Sequence, residues 1–266
     1  MIFLFFFSIS VVSAESNINN NVNSDSSYTI SYFDKNIGGD VLKNSKISKN
    51  LPNSTLSKRI ASMTKNGSVI LKFGDGNASK ILICAGIHGD ESAANIATLR
   101  FIENIKDKKI KGTIYVIPFV IPKSTALNRR EWFNPKMRRT IDPNQHSHVP
   151  RTPGHDIVQF AKKNNIKFII DVHSGKDLFD QKNGAIFANK KPTNTEERKL
   201  LKHIKKMVNP KIKYNVPKRG FIRGYSKVNN ITAITLEVER DKGSVSFWAK
   251  AQYKMIISAC KYFKLF

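Results

Sequence analysis

Short apolar runs alternate with amphipathic stretches along most of this chain, and that alternation constrains the fold more than any other feature. Residues 81–87 form an apolar run typical of a buried strand, and residues 91–105 then repeat apolar side chains at helical spacing. The same patterns predict strands at 68–73, 112–117, 167–172, 185–188 and 231–238, and helices at 56–63, 156–163, 195–208 and 245–263. They indicate an α/β fold with a largely parallel or mixed sheet, which places functional residues at strand ends.

Chemically useful side chains follow two of these strands and lie in a third. The three segments are His88-Gly89-Asp90-Glu91, Asp171-Val172-His173-Ser174-Gly175 and Thr235-Leu236-Glu237. Two histidines and a carboxylate at strand ends can bind one zinc ion and leave a fourth position open for water, as catalytic zinc sites require. Taken singly, each motif has an ordinary explanation, which is a capping glutamate or a core or loop histidine. Asp171 shares a strand face with His173 and either accepts a hydrogen bond from that imidazole or caps the strand end.

The N-terminal residues predict export. Residues 1–12 are apolar but too few to span a bilayer comfortably, and Val12-Ser13-Ala14 resembles a signal-peptidase site. Residues 1–14 are therefore predicted to be a signal peptide of a secreted or cell-surface protein, although no Lys or Arg precedes the apolar run, so a retained anchor or a misplaced start codon stays open. Residues 15–50 are rich in Ser, Asn and Asp and predict a loosely ordered lead-in to a single domain at 51–266. No later segment is apolar enough to predict a transmembrane helix.

The charge of the chain bears on its partners. The 45 basic and 20 acidic residues give a net charge of +25, which favours attraction to nucleic acid, anionic lipid or acidic wall polymers. Because the basic residues are spread along the chain, a compositional bias explains them equally well. No nucleic-acid-binding motif accompanies the charge, so an anionic cell-wall polymer is the preferred polyanionic partner. Cys84 and Cys260 are expected to be small buried apolar residues, and a disulfide between them stays open.

The three motifs, in this order and separation, resemble those of the zinc carboxypeptidase superfamily. The similarity covers residues 56–263 and is closest to the branch that contains succinylglutamate desuccinylase and aspartoacylase. It implies an α/β/α sandwich with an eight-stranded, mixed and mostly parallel sheet, and one zinc ion held by His88, Glu91 and His173. It also implies that Glu237 is the general base that activates the metal-bound water, with Glu239 on the same strand face as the rival base. For both glutamates, the ordinary alternative is a strand-end charge pairing with Arg240.

The resemblance further implies that substrate-binding residues lie between the first two motifs. Family members place arginines and an Asp-x-Asn-Arg sequence there, and this chain has Asn144 at the asparagine position but Gln145 where arginine is expected. Arg130 and Arg138 are alternative candidates for the arginine that stabilises the oxyanion. Arg151 is a further arginine that can substitute in space, and all these arginines can equally be solvated loop residues.

Two more groups of residues belong to the same interpretation. The resemblance places Gly220–Tyr225 at the pocket, so Arg223 and Tyr225 either contact substrate or are ordinary packing residues. His146, His148 and His155 are expected to be solvated loop histidines rather than a second metal site.

Together these observations predict an exported zinc hydrolase that cleaves an amide bond in a peptide or cell-wall peptide. One alternative is a deacylase of small N-acyl amino acids. Another is a non-catalytic protein that uses this scaffold to bind a wall polymer or another polyanion.

Overall fold

The computed structural model describes residues 27–76 and 78–266, and its strands and helices alternate as the sequence patterns predict. The strands are β1 (Tyr28–Asp34), β2 (Ser68–Phe73), β3 (Lys80–Ala85), β4 (Thr113–Ile117), β5 (Trp132–Asn134), β6 (Arg139–Ile141), β7 (Phe168–Gly175), β8 (Ala185–Asn189), β9 (Lys211–Asn215) and β10 (Thr232–Glu239). The helices are α1 (Ser45–Ser48), α2 (Thr55–Met63), α3 (Ser92–Ile105), α4 (Pro122–Ala126), α5 (Pro153–Lys163), α6 (Thr195–Val208), α7 (Ile222–Val228) and α8 (Val245–Tyr262).

Eight of these strands form one mixed sheet in the order β1-β2-β4-β3-β7-β10-β8-β9, and β5 and β6 form a separate hairpin. Four neighbouring pairs are parallel, namely β4–β3, β3–β7, β7–β10 and β8–β9. The other three pairs, β1–β2, β2–β4 and β10–β8, are antiparallel. The predicted eight-stranded, mixed and mostly parallel sheet is therefore confirmed.

Helices cover both faces of the sheet and enclose two apolar cores. Along β3, Ile81 and Ile83 belong to one core, and Leu82 and Cys84 to the other, because successive strand side chains point to opposite faces. The first core is completed by α2, α3, α6 and α8, and the second by α5 and α7. Burying each large aliphatic side chain in these cores contributes about 1.5–3 kcal/mol. The predicted three-layer α/β/α sandwich is thus confirmed.

Residues 28–50 correct the predicted start of the ordered domain at residue 51. Instead of a loosely ordered lead-in they form β1, α1 and two short 3-10 helices, and β1 pairs with β2 as an edge strand of the sheet. The polar residues that suggest a linker act as caps here, since Asp34, Asp40 and Asn44 each accept a backbone hydrogen bond at the start of a helix. The predicted signal peptide at 1–14 and the first part of the lead-in lie outside the described residues.

The segment 118–153, which carries no clear periodicity in the sequence, contains α4 and the β5–β6 hairpin. Helix α6 has the predicted bounds and is capped by Asn194, whose side chain accepts a hydrogen bond from the Glu197 N–H at 3.2 Å. Cys84 and Cys260 are both buried and free. None of the helices within the described ranges combines the length and apolar character needed to cross a membrane.

Candidate metal centre and active site

Three adjacent strands bring the motif residues together. β3, β7 and β10 lie side by side, and both outer strands run parallel to β7. Parallel strands end at the same edge of a sheet, so His88 beyond β3, His173 in β7 and Glu237 in β10 meet at that edge. The strand register pairs Glu237 directly with His173.

Two glycines allow the loop after β3 to make the close turn on which His88 lies. Gly86 has a φ of +78°, and a side chain there would collide with the amide of Asn95. Gly89 packs against the backbone of Ser124, where a Cβ atom has no room. Glycine is therefore required at both positions by backbone conformation or close approach.

His88, Glu91 and His173 form a compact, buried donor cluster. The Nδ1 atom of His88 lies 2.7 Å from Oε1 of Glu91, and Nδ1 of His173 lies 2.9 Å from Oε2 of the same carboxylate. One donor atom from each residue lies within 4.8 Å of the others. Within the described ranges this is the one group of three such side chains with the spacing of a metal site.

The Nε2 atom of each imidazole contacts a further carboxylate, a different one for each ring. Nε2 of His88 lies 2.9 Å from Oδ1 of Asp142, and Nε2 of His173 lies 2.9 Å from Oδ2 of Asp171. Both rings therefore present Nδ1 to the shared Glu91 carboxylate and Nε2 to a partner that orients them, as metal-bound histidines generally do. Two imidazole nitrogens and a carboxylate oxygen are donors that zinc prefers, so this set fits a zinc ion.

The electrostatics of the cluster are those of a closely packed ion group. Burial would lower the pKa of both histidines, but the negative charge of Glu91 raises that of His88, and Asp171 together with Glu91 raises that of His173 well above its usual value. Burial would raise the pKa of Glu91, yet the two histidines hold it far below its ordinary value. These pKa shifts favour protonated imidazoles beside an ionised Glu91 carboxylate.

Glu237 is the one acidic residue lining the cleft whose carboxylate makes no hydrogen bond or ion pair among the described residues. Its Oε2 atom is buried without a hydrogen-bond partner and faces Gly175, where a Cβ atom would lie 3.1 Å from that oxygen. Burial raises the pKa of Glu237 to about 8. A carboxylate with a pKa near neutrality can both accept and return a proton, as a general base requires.

Glu239, the rival base, is bound elsewhere. Its carboxylate accepts hydrogen bonds from the Leu178 N–H at 2.8 Å and the Asp241 N–H at 3.0 Å, and it does not line the cleft. The guanidinium of Arg240 pairs with neither glutamate, because it pairs with Asp90 at 2.6 Å and Asp241 at 2.8 Å. The ordinary alternative for these two glutamates, a charge pair with the Arg240 guanidinium, is therefore wrong.

The structure separates the two candidate oxyanion arginines. Arg130 lines the cleft, where it lies 3.2 Å from Glu91 and 3.1 Å from Asp142. Arg138 lies in the turn of the β5–β6 hairpin, with a φ of +50° and an exposed side chain, and does not reach the cleft. The hairpin directs the side chain of Arg138 into solvent.

Asn144 and Gln145 both reach the cleft but differ in what they contact. Asn144 Nδ2 lies 3.4 Å from Nε2 of His173, and its Oδ1 accepts a hydrogen bond from the Ile222 N–H at 3.1 Å. Gln145 donates through Nε2 to Asp142 at 3.2 Å. Gln145 therefore binds Asp142, the carboxylate that contacts His88 of the donor cluster.

Tyr225 does not line the cleft, in contrast to the sequence expectation. Its hydroxyl accepts a hydrogen bond from Gln159 at 3.0 Å, and its ring stacks on that of His155. Arg223, two residues earlier on α7, does line the cleft. Two residues span a little over half a helical turn, so the two side chains point in different directions.

The remaining candidate arginine and histidines lie outside the cleft. Arg151 borders a separate groove beside β1 and the β5–β6 hairpin. His146 bonds to the Asp142 carbonyl, His148 is exposed, and His155 contacts Asp156. None of the three joins the donor cluster.

Two functional contacts were not assigned from the sequence. Asp142 supports His88, and its position two residues before Asn144 in the Asp-x-Asn sequence is the signal that points to it. The ion pair between Asp90 and Arg240 joins the loop after β3 to the end of β10 and has no local sequence signal. The donor cluster, Glu237, Asp142 and the Asp90–Arg240 ion pair border one cleft of about 600 Å³. A cleft of this volume is large enough for an amino acid derivative or a peptide end.

A family model described as the succinylglutamate desuccinylase/aspartoacylase catalytic domain matches residues 77–257, more than half of the chain. The matched range includes the donor cluster and Glu237. No curated protein sequence matches the chain.

Solved structures share the fold at low sequence identity. A succinylglutamate desuccinylase/aspartoacylase from Rhodobacter sphaeroides is 13% identical with a TM-score of 0.56, over 75% of this chain and 61% of that one. A metallo-carboxypeptidase from Burkholderia cenocepacia is 14% identical with a TM-score of 0.56, over 74% and 61%. The product-bound cell shape determinant protein Csd4 from Helicobacter pylori is 14% identical with a TM-score of 0.55, over 70% and 51%. The chain thus spans between half and two thirds of the length of these three proteins, and the likeness concerns the fold.

Proposed function

Because the chain belongs to the succinylglutamate desuccinylase/aspartoacylase catalytic-domain family, we propose that it is a zinc-dependent hydrolase that cleaves an amide bond in a peptide or cell-wall peptide. One observation carries the proposal, which is the meeting of the His88, Glu91 and His173 donors with the unpartnered carboxylate of Glu237 in a single cleft. A metal-ligand set with an adjacent free base is what hydrolysis of an amide by water needs.

The donor cluster, the two carboxylates that orient its histidines and Glu237 have different roles in the proposed reaction. His88, Glu91 and His173 would hold the zinc ion, which when bound would supply a Lewis acid for the carbonyl and for water. Asp142 and Asp171 keep the two imidazoles turned so that Nδ1 faces the cluster. Glu237 accepts the proton of the attacking water and returns it to the departing amine.

Arg130 is the residue we propose for the developing oxyanion. Its guanidinium lies between Glu91 and Asp142 at the edge of the cluster, and its side chain is 40% exposed, so donors remain available to the cleft. Fixed donors beside the reacting carbonyl stabilise negative charge as it forms. Arg138 is too far from the cleft for this role.

We further propose that the enzyme is exported. The proposal rests on the sequence of residues 1–14 and on the basic charge of the chain, which suits an anionic wall polymer as a partner. A mature N-terminus at Glu15, found by sequencing the protein from the extracellular fraction, would support it. A cytosolic protein that retains Met1 would favour a metabolite substrate instead.

The second candidate function is deacylation of a small N-acyl amino acid. The family description favours it, because the matched domain is named for two deacylases. The two candidate functions would use the same donor cluster and the same base, Glu237, so they differ only in substrate.

The deciding experiment measures bound metal and hydrolysis together. Wild type, Glu237→Gln and the control Glu239→Gln are compared on C-terminal peptides, wall peptides and N-acyl amino acids. We expect one zinc ion in all three proteins and turnover lost in Glu237→Gln alone, because Glu239 binds backbone groups outside the cleft. The panel that is hydrolysed identifies the substrate class, whereas a protein that binds no zinc after reconstitution would support the non-catalytic alternative.

A further inference from the structure

Basic residues occur along the whole chain, but the net positive charge is concentrated in one segment. Residues 190–227 carry 13 basic and 2 acidic residues, so these 38 positions account for +11 of the net charge of +25. The other 228 positions carry 32 basic and 18 acidic residues. A compositional bias alone would spread the excess evenly, so the local concentration needs a structural reason.

This segment folds around one edge of the sheet. It contains α6, the edge strand β9 and α7. Helix α6 packs against the first core and α7 against the second, so the segment covers both faces of the sheet beside β9. Twelve of the thirteen basic side chains are exposed or partly exposed, and the thirteenth, Arg223, is buried at the cleft. We call these twelve side chains the basic edge, which is every Lys and Arg of residues 190–227 except Arg223.

Contacts between distant segments bring several of these cations together. Arg198 Nη2 donates to the Lys190 carbonyl at 2.7 Å, and Lys227 Nζ donates to the Lys191 carbonyl at 2.6 Å. The N–H of Lys190 donates in turn to the Asn215 carbonyl at the end of β9, at 2.8 Å. The loop after β8 therefore gathers cations from α6 and α7, and like charges held this close repel one another.

The two acidic residues of the segment leave most of this surface unpaired. Glu197 is buried, and its carboxylate accepts hydrogen bonds from the backbone N–H groups of Asn189, at 3.0 Å, and Thr193, at 2.9 Å. Glu196 pairs with Lys199 at 2.9 Å. In the described part of the chain, Lys199 is the one member of the basic edge that forms an ion pair with a carboxylate.

The shape of the basic edge favours a flexible partner over a flat one. Its cations lie on α6 at one face of the sheet, on α7 at the other, and on β9 between them. A bilayer surface contacts one side of a protein, whereas a flexible chain can follow a surface that turns around a sheet edge. The repulsion among these cations is relieved most fully by a polyanion that follows the whole surface.

The aromatic rings beside these cations argue against nucleic acid. The guanidinium of Arg198 lies 4.2 Å from the ring centroid of Tyr214, and Lys213 Nζ lies 5.1 Å from that of Phe187. Proteins that bind single-stranded nucleic acid use free rings as stacking platforms for the bases. Here cations cover the rings, which favours a polymer that carries charges but no bases.

We propose that the basic edge is a docking surface for a flexible anionic cell-wall polymer, separate from the catalytic cleft. The polymer carries phosphate or carboxylate groups along its length, since lysine and arginine bind both. The inference goes beyond the proposed hydrolase reaction and shares with it only the proposed export. Because Lys213 lies over Phe187, which lines the cleft, the docked polymer lies beside the cleft rim and keeps wall peptides close to the donor cluster.

The test compares variants that lose the same net charge at different places. The edge variant combines three substitutions, namely Lys190→Gln, Lys191→Gln and Lys227→Gln. The matched control combines three at exposed lysines outside the segment, namely Lys43→Gln, Lys49→Gln and Lys58→Gln. The zinc-loaded proteins are titrated at low salt with fluorescently labelled poly-L-glutamate and with labelled inorganic polyphosphate.

The edge variant should bind both probes at least about tenfold more weakly than wild type does, and the control should stay within about twofold of wild type. Wild-type affinity should fall steeply as salt is added. Equal losses in the two variants would show that net charge rather than this surface binds the probes, and would overturn the inference. Absence of binding by wild type would overturn it as well.

Purified cell walls test the identity of the polymer. Intact walls, and walls stripped chemically of their anionic polymers, are sedimented with each protein. Wild type and the control should sediment with intact walls only, and the edge variant with neither. Edge-dependent binding to stripped walls would overturn the assignment. So would edge-dependent binding to phosphatidylglycerol vesicles or to a single-stranded oligonucleotide that is tighter than binding to the two polymer probes.

These binding assays need no turnover, so failure of this inference and failure of the hydrolase proposal are separate results. Should the edge variant fail to fold, as judged by circular dichroism, a second variant replaces it. That variant combines substitutions at three exposed members of the basic edge, namely Lys211→Gln, Lys218→Gln and Arg219→Gln. It should show the same loss of at least about tenfold, and unchanged binding would overturn the inference.

Discussion

Replacing Glu237 by glutamine should make the metal-free protein more stable at high pH. In the folded protein burial raises the pKa of Glu237 to about 8, against an ordinary value of 4.5. The folded state therefore holds the Glu237 proton more tightly than the unfolded state does. Stability from this group is fully present below pH 4.5, falls as the pH rises towards 8, and is then constant. Glutamine keeps the shape of the protonated side chain and has no proton to lose.

The size of the effect follows from the two pKa values. Between pH 5 and pH 8 the wild type should lose about 3.5 kcal/mol of unfolding free energy relative to Glu237→Gln, at about 1.4 kcal/mol for each pH unit over most of that range. For a protein of this size that loss corresponds to a difference of about 10 °C in Tm.

Thermal and urea unfolding in the presence of a chelator, at pH values from 5 to 8, provide the assay. Glu239→Gln is the matched control. Burial would raise the pKa of Glu239, but backbone N–H donors such as that of Asp241 lower it. Its stabilising contribution is therefore present above pH 4.5 and lost only below it, so the difference between wild type and Glu239→Gln should be constant from pH 5 to 8. A constant difference for Glu237→Gln as well would refute the reasoning about its burial.

Three further predictions concern the donor cluster and the residues that contact it. Asp142→Asn should lower zinc affinity about 10- to 100-fold in a competition titration, because it weakens the support of His88; an unchanged affinity would contradict that role. Zinc binding should strengthen as the pH rises and should release protons, because the raised pKa values of His88 and His173 mean that zinc must displace protons from both rings; calorimetry in two buffers of different ionisation enthalpy measures this release, and none should be seen if the rings are already neutral. Arg130→Gln should reduce kcat by about 100-fold while Arg138→Gln leaves it unchanged, since only Arg130 borders the cluster; equal effects would be inconsistent with the proposed oxyanion role.

Much of the fold could be predicted because its signals are local. The apolar runs of the central strands and the helical spacing in α3 and α8 are contained in windows of fewer than twenty residues. The edges of the sheet were harder to predict. β1 and β9 lie at its two ends, are only partly buried and show a weaker apolar pattern. Polar residues near β1 suggested a linker, although several of them cap short helices.

The sequence by itself determined an α/β fold with histidines and glutamates at strand ends, because apolar periodicity and strand-end position are local signals. The three-layer sandwich and the grouping of His88, Glu91 and His173 were implied by the resemblance of the motifs to a known family. Only the tertiary structure decided which carboxylates and arginines contact the donor cluster or line its cleft. It placed Arg130 rather than Arg138 at the cleft, bound Glu239 to backbone N–H groups outside the cleft, and buried Arg223 against the side-chain amides of Asn189 and Asn215. These outcomes depend on contacts between segments distant along the chain, and no local periodicity or spacing encodes the direction in which a long side chain meets them.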